Sequence, residues 1–246
     1  PVCAVKGVSD ALLENIENGR PFASPGDFRH RCGPQADEAE RLLRAGALDG
    51  FGLSRTELFW ELRTAGRSPQ DGALLLETKR PAPPPGRTEP GHLERLRDEM
   101  ELLGFPVGGH PVELFPGVAW DAYCPLGDVA RHAGRRVTVC GLVVAQRSHR
   151  QSDGRAMKFV SICDRSGVLE CEIFADAYRA GGGVLAREPV VELAGLAQPL
   201  GGGDACTLRV ERVRPPRQTS EAGEMFRGGT RGATLSAASG APQGME

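Results

Sequence analysis

The apolar residues of this chain repeat with one period near its start and with another in its second half, and no single type of element satisfies both. From Val8 to about Arg63, Leu12, Leu13 and Ile16 fall on one helical face. Ala39, Leu42, Leu43 and Ala47 follow, then Leu58, Phe59 and Leu62, the spacing of short amphipathic helices. From about Tyr123 to Pro215 the period drops to near two, in runs at 135–148, 156–164, 167–174, 189–198 and 204–214, the alternation expected of half-buried strands. The chain is therefore read as α+β and multidomain, with helices and strands segregated along it.

Local signals mark the joints. Ser24-Pro25 with Asp27 can start a helix, Ser54 with Glu57 has the spacing of a capping box, and Gly46 and Gly50 can interrupt or end one. After the helical region 1–63, residues 64–91 contain PAPPPGRTEPG, where successive prolines remove backbone donors and favour extended polyproline, so a linker is predicted. Leu93, Leu96, Met100 and Leu103 then recur at helical spacing before Gly104, and 92–122 reads as a bridging helix and a packed loop. The strands occupy 123–215. Residues 216–246, rich in Gly, Ser and Ala, read as a disordered tail.

Five short strands, a long first one able to bend at Gly141 and a helix-forming ADAYRAGGGVLARE between the third and fourth, match the layout of an OB-fold β-barrel. In the third strand Leu169, Cys171 and Ile173 share one face and Glu170 and Glu172 the other, an apolar core side against a solvated side. The second strand divides into Lys158, Val160 and Ile162 against Met157, Phe159 and Ser161. Both sets contain apolar members, so its inward face stays open.

Thirty Lys and Arg against 32 Asp and Glu give a formal net charge of −2, so any contact with nucleic acid has to come from a local patch. QRSHRQSDGRAMK supplies a candidate: Arg147, Arg150, Arg155 and Lys158 are cations, His149 adds another when protonated, and Phe159 follows as a stacking platform. Glu170 and Glu172 on the neighbouring strand oppose a phosphate chain, and the residues alone leave a solvated loop and a nucleic-acid surface equally open. Seven cysteines without a CxxC pair, and five histidines without HxxxH or HxH spacing, argue against a disulfide framework or zinc site. With no DxD and no P-loop, no catalytic residue and no cofactor is expected in this chain. An autonomous nuclease would need a metal site that the sequence does not offer. No apolar run is long enough to cross a bilayer, and PVCAVKGVSD lacks the layout of a secretory signal, so a cytoplasmic protein with no membrane partner is expected. The chain begins at Pro1 rather than Met, as a piece of a longer polypeptide would.

Four segments in order, VKGVSDALLENIENGRPFASPGDFRHR, LLRAGALDGFGLSR, EMELLGFPVGGHPVELF and RRVTVCGLVV with MKFVSICDRSGVLECEIF, resemble the C-terminal region of bacterial C-family DNA polymerases, the alpha subunit of DNA polymerase III and its error-prone relatives. The resemblance covers most of the chain. It implies a helix-hairpin-helix-type region that holds the phosphate backbone of duplex DNA, and an OB-fold near the single-stranded template. Lys6, Gly7 and Val8 match the hairpin turn, whose backbone N–H groups can approach a phosphate without reading bases. Ser9 stands where a second glycine is usual; it can cap the following helix, while its side chain limits close approach.

The resemblance further implies a parent that is a DNA-directed DNA polymerase, a nucleotidyltransferase, with Mg2+ held by aspartates of a palm that precedes this chain. The expected function is DNA binding that positions template and primer during replication or translesion synthesis, with other replisome subunits as further partners. The alternative is a protein-interaction OB module without direct DNA contact. Met225 and Phe226 supply only the last two positions of a clamp-binding peptide, and an incidental pair in the tail is the expected reading. The nucleic-acid-binding residues expected are Lys6, Gly7, Arg147, Arg150, Arg155, Lys158 and Phe159.

Overall fold

Polar residues precede the first four helices. Ser9 Oγ accepts from Leu12 N at the start of α1 (Asp10–Gly19), and Ser24 Oγ accepts from Asp27 N at the start of α2 (Pro25–Cys32). Gln35 caps α3 (Ala36–Arg44) through a capping box with Glu38. Ser54 and Glu57 form the box that their spacing predicts at the head of α4 (Arg55–Thr64), with Glu57 N bonded to Ser54 Oγ at 3.2 Å and Ser54 N to Glu57 Oε2 at 2.9 Å. α5 (His92–Leu103) stops at Gly104, whose φ of 84° suits a residue without a Cβ. This computed structural model describes residues 2–64, 88–151, 154–200 and 205–219. The chain divides into two units, Pro1–Leu114 and Phe115–Glu246.

The first unit packs Leu12, Ile16, Phe28, Leu42, Leu58 and Leu102 into one core, each such side chain stabilising the fold by about 1.5–3 kcal/mol through burial. Because Leu102 belongs to that core, α5 is an integral helix of the unit and not a bridge. Arg44 reinforces this by binding Asp98 of α5 at 2.6 Å and Glu101 at 2.7 Å. Arg55, only 6% exposed, is held by Asp49 and by the Arg44 carbonyl. Glu89, which composition assigns to the linker, accepts from Arg55 N and Thr56 N at the start of α4, where a carboxylate complements the helix dipole. The proline run itself lies outside the described residues.

The second unit is a closed barrel of β1 (Arg136–Arg150), β2 (Ala156–Asp164), β3 (Gly167–Ile173), β4 (Val190–Pro199) and β5 (Cys206–Arg214), in the order β1-β2-β3-β5-β4. Its neighbours are antiparallel except β3 and β5, which run parallel over Cys171 to Ile173. With α6 (Ala175–Arg187) between β3 and β4, this is the OB-fold that the alternation predicts. β1 serves twice, pairing with β4 through Leu142 and with β2 from Leu142 onward. The sequence predicts the bend at Gly141, but the irregularity lies between Val143 and Ala145. Gly141 is needed for another reason: a Cβ there would lie 2.7 Å from Ile162 Cβ.

Leu169, Cys171 and Ile173 point inward, and the ambiguous β2 turns Val160 and Ile162 into the core, all at most 4% exposed. The Asp164-Arg165-Ser166-Gly167 turn also closes one end of the barrel. Asp164 Oδ1 accepts from Ser166 N, Ser166 Oγ and Gly167 N, while its Oδ2 accepts from Leu126 N. Ser166 Oγ accepts in turn from Gly127 N at 2.9 Å, so the hairpin tip anchors the 3-10 segment Leu126–His132.

The outer side of β4 and the first half of β1 is covered. Tyr123, pushed up to about 12 by burial first, donates to the buried Glu192 at 3.0 Å and accepts from Arg217 N at 2.6 Å. Arg217 also pairs with Glu192 at 3.3 Å. Ala119 N bonds to Arg217 O and Thr219 N to Gly117 O. Residues 217–219, which composition assigns to the tail, are therefore part of the fold; Met225 and Phe226 lie outside the described residues. Among the described residues no helix is long and apolar enough to cross a membrane.

Candidate nucleic-acid interface

With β4 covered, the outer side of β2, β3 and the second half of β1 remains open. Strand register sets Arg147 opposite Phe159, Phe159 opposite Glu172, and Glu172 opposite Arg209, a row of four side chains on one face. Arg147, His149, Phe159, Glu170, Glu172 and Leu200 line a shallow groove of about 470 Å³. The His149 ring lies 6.2 Å from that of Phe159, tilted by 58°. Arg147 Nη2 is 2.8 Å from Glu170 Oε1, both side chains well exposed. The groove thus offers an aromatic platform between two basic side chains, with two carboxylates on its β3 side.

The basic residues of the β1–β2 loop do not form one patch. Neighbouring residues on a strand face opposite sides, so Lys158 turns away from Phe159 toward α6. There it bonds to Gln146 Oε1 at 2.9 Å and lies 5.4 Å from the Tyr178 ring. Arg155 reaches Asp176 at the start of α6, at 3.8 Å. Arg150 is exposed, and its register partner Ala156 puts it on the Lys158 side of the ribbon. Only Arg147 and Phe159 of the expected set share the groove.

The hairpin turn of the first unit is braced from within. Gly7 has φ 79°, and a Cβ there would lie 2.7 Å from the Arg41 guanidinium. Lys6 N donates to Leu102 O at 2.9 Å and Lys6 Nζ to Glu101 O at 3.1 Å. Ser9 N donates to Glu38 Oε1 at 3.0 Å, and Glu38 Oε2 accepts from Gln35 N. A buried carboxylate therefore sits at the head of α1, the position that suits an anion. Hydrogen bonds from Ser9 first, then the Gln35 backbone, hold that carboxyl below the usual glutamate range.

Three further cations outside the β1–β2 loop, Arg209, Arg212 and Arg214 of β5, are all exposed. Their signal is in RVERVR, where Val210 and Val213 are three apart and strict alternation fails. The register shift opposite Ala194 and Gly195 absorbs the extra residue, so Glu211 and Arg212 both face outward. Among the described residues no three His, Cys, Asp or Glu side chains converge as metal ligands.

A family model for the helix-hairpin-helix motif matches residues 1–58. The DNA polymerase III alpha subunit of Thermus aquaticus is 35% identical over 198 residues, 71% of this chain and 16% of that protein. Over most of its length this chain is similar to one part of DNA polymerase III alpha subunits and error-prone DNA polymerases. An error-prone DNA polymerase of Symbiobacterium thermophilum is 28% identical over 86% of the chain and 22% of its own length. The Pseudomonas aeruginosa alpha subunit is 28% identical over 85% of the chain and 21% of its own length. The chain therefore spans about a fifth of these polymerases or less. Among solved structures, asparaginyl-tRNA synthetase of Entamoeba histolytica aligns over 43% of the chain and 26% of that chain, at 22% identity and a TM-score of 0.31.

Proposed function

We propose that this chain is the DNA-handling, C-terminal part of a DNA polymerase III alpha-type polypeptide in the bacterial cytoplasm. Its barrel holds single-stranded template across the open side of β1, β2 and β3, and so positions template and primer for nucleotidyl transfer carried out by a palm elsewhere in the parent. The observation that carries this proposal is the groove in which Phe159 lies opposite Arg147 and beside His149, left open while the Tyr123–Glu192–Arg217 cluster covers the outer side of β4 and the first half of β1. A base stacked on an aromatic ring contributes about 1–3 kcal/mol, largely independent of sequence, and Arg147 can bind a phosphate once it leaves Glu170. Glu170 and Glu172 oppose the phosphate chain, so binding is weak and salt-sensitive.

The hairpin unit contributes less at its turn, because Ser9 N already bonds to Glu38 and Lys6 N to Leu102 O. Lys6 can reach a duplex phosphate by releasing Glu101 O.

Fluorescence-anisotropy titration of a labelled oligothymidylate tests the groove. Phe159→Ala should weaken binding by about fivefold to a hundredfold, the equivalent of the stacking energy. Equal affinities for the parent chain and Phe159→Ala would remove the groove from consideration. A second reading, a protein-interaction module of the replisome, is favoured by the carboxylates of Glu170 and Glu172 in the same groove. It predicts no anisotropy change with oligonucleotides even at low salt.

A further inference from the structure

We infer that the outer face of β5 is a phosphate track, on which Arg212 and Arg214 bind the backbone of single-stranded DNA and lead it by way of Arg209 to the groove on β1–β3. The inference rests on the proposed single-strand binding and adds a second, separate surface to it.

The cations of the β1–β2 loop are largely engaged: Arg147 with Glu170, Lys158 with Gln146, Arg155 with Asp176. The side chains of Arg212 and Arg214 are exposed and make no hydrogen bond or ion pair among the described residues. Among the described residues, three carboxylates lie near the strip. Glu211 is taken by Arg136 through both Nε and Nη2. Glu192, opposite Arg214, is buried and held by Tyr123 and Arg217. Glu172, opposite Arg209, lies within the groove. Arg136 holds the Glu211 carboxyl below its ordinary range, with the charges of Arg209 and Arg212 adding to the effect, as a locally positive surface requires.

The geometry suits a regularly spaced polyanion. Arg212 and Arg214 stand two residues apart on one strand, about 6.6–6.8 Å along its axis, comparable to successive phosphates of an extended single strand. Each guanidinium presents a planar fork that binds phosphate oxygens in pairs. Arg209, with its guanidinium 5.0 Å from the Phe174 ring, is in register with Glu172 and through it with Phe159. Two strand spacings, about 10 Å, separate Arg209 from that platform. A chain passing down β5 thus reaches Phe159 without leaving the barrel surface. An acidic peptide would meet the same charges but has no cause to follow this row.

The test is anisotropy of labelled oligothymidylate with the full chain over a series of salt concentrations, comparing the parent with Arg212→Ala/Arg214→Ala. Losing two single-strand phosphate contacts should reduce the slope of log K against log salt by about 1.4, while Arg212→Lys/Arg214→Lys retains most of it. Phe159→Ala should weaken binding and leave the slope nearly unchanged. A parent chain that binds oligothymidylate, with the double alanine variant keeping the full slope, overturns the track and leaves the groove intact. A parent that fails to bind at low salt overturns both. Competition by polyglutamate of matched charge as effective as unlabelled oligothymidylate overturns the assignment to nucleic acid, in favour of an acidic protein.

Discussion

Arg147 lies 2.8 Å from Glu170 across the intervening strand β2, and both ends of the pair are open to solvent. Such a pair contributes at most about 1 kcal/mol to stability. Under the proposed template binding its weight falls on affinity, because the same guanidinium would have to choose between a carboxylate and a phosphate. Glu170→Gln should therefore strengthen oligothymidylate binding by about fivefold, the equivalent of roughly 1 kcal/mol between screened charges, and leave the melting temperature nearly unchanged. A titration in which Glu170→Gln binds no better than the parent would mean that Arg147 does not meet phosphate.

The Asp164 turn is expected to be a stability element and not a binding one. Its carboxylate accepts from Ser166, Gly167 and Leu126 and joins the β2–β3 hairpin to the 3-10 segment. Asp164→Ala should lower unfolding stability in urea by about 2 kcal/mol, with Asp164→Asn losing less because it keeps one acceptor. Oligonucleotide affinity measured below the transition should not change.

Helix α6 carries three consecutive glycines with different roles. At Gly181 a Cβ would lie 2.5 Å from Val213 Cβ, whereas at the exposed Gly183 the nearest contact is an ordinary 3.5 Å from Arg187. Gly181→Ala should destabilise by about 1–3 kcal/mol through overpacking. Gly183→Ala should stabilise by about 0.5–1 kcal/mol through helix propensity and a less flexible unfolded chain. Thermal melts of the two variants should move in opposite directions.

Glu38 ties the helical unit to pH. Its folded-state carboxyl titrates below the ordinary value of 4.5, so the folded protein binds fewer protons than the unfolded one in that range. The stabilisation is complete above about 4.5 and is lost as pH falls through the lowered value. The parent should be more stable than Glu38→Gln at neutral pH, and denaturant titrations at successively lower pH should find the difference shrinking. A constant difference from pH 7 to pH 3 would contradict the hydrogen bonding at the head of α1.

The sequence makes the barrel legible because β3 alternates cleanly: Leu169, Cys171 and Ile173 against Glu170 and Glu172 already distinguish core from solvent. β2 was undecidable alone, since Met157 and Phe159 are as apolar as Val160 and Ile162, and only its pairing with β1 selects a face. The candidate site was legible in composition but not in direction. Arg147, Arg155 and Lys158 are close along the chain, yet strand alternation and the start of α6 carry them to different sides. The β5 arginines were obscured by a bulge, which breaks the period that would have placed Arg212 outside. Glu89 and Arg217 looked like linker and tail because their partners, Arg55 and Tyr123, are distant in sequence.

Where single-stranded DNA lies on the chain is read most directly by amide chemical-shift changes in the 15N-labelled protein as oligothymidylate is added at low salt. Shifts should concentrate at residues 145–149, 157–161 and 170–172 and along 209–214, and fade as salt is raised. Shifts confined to the helical unit, or none at all, would contradict a template-binding barrel.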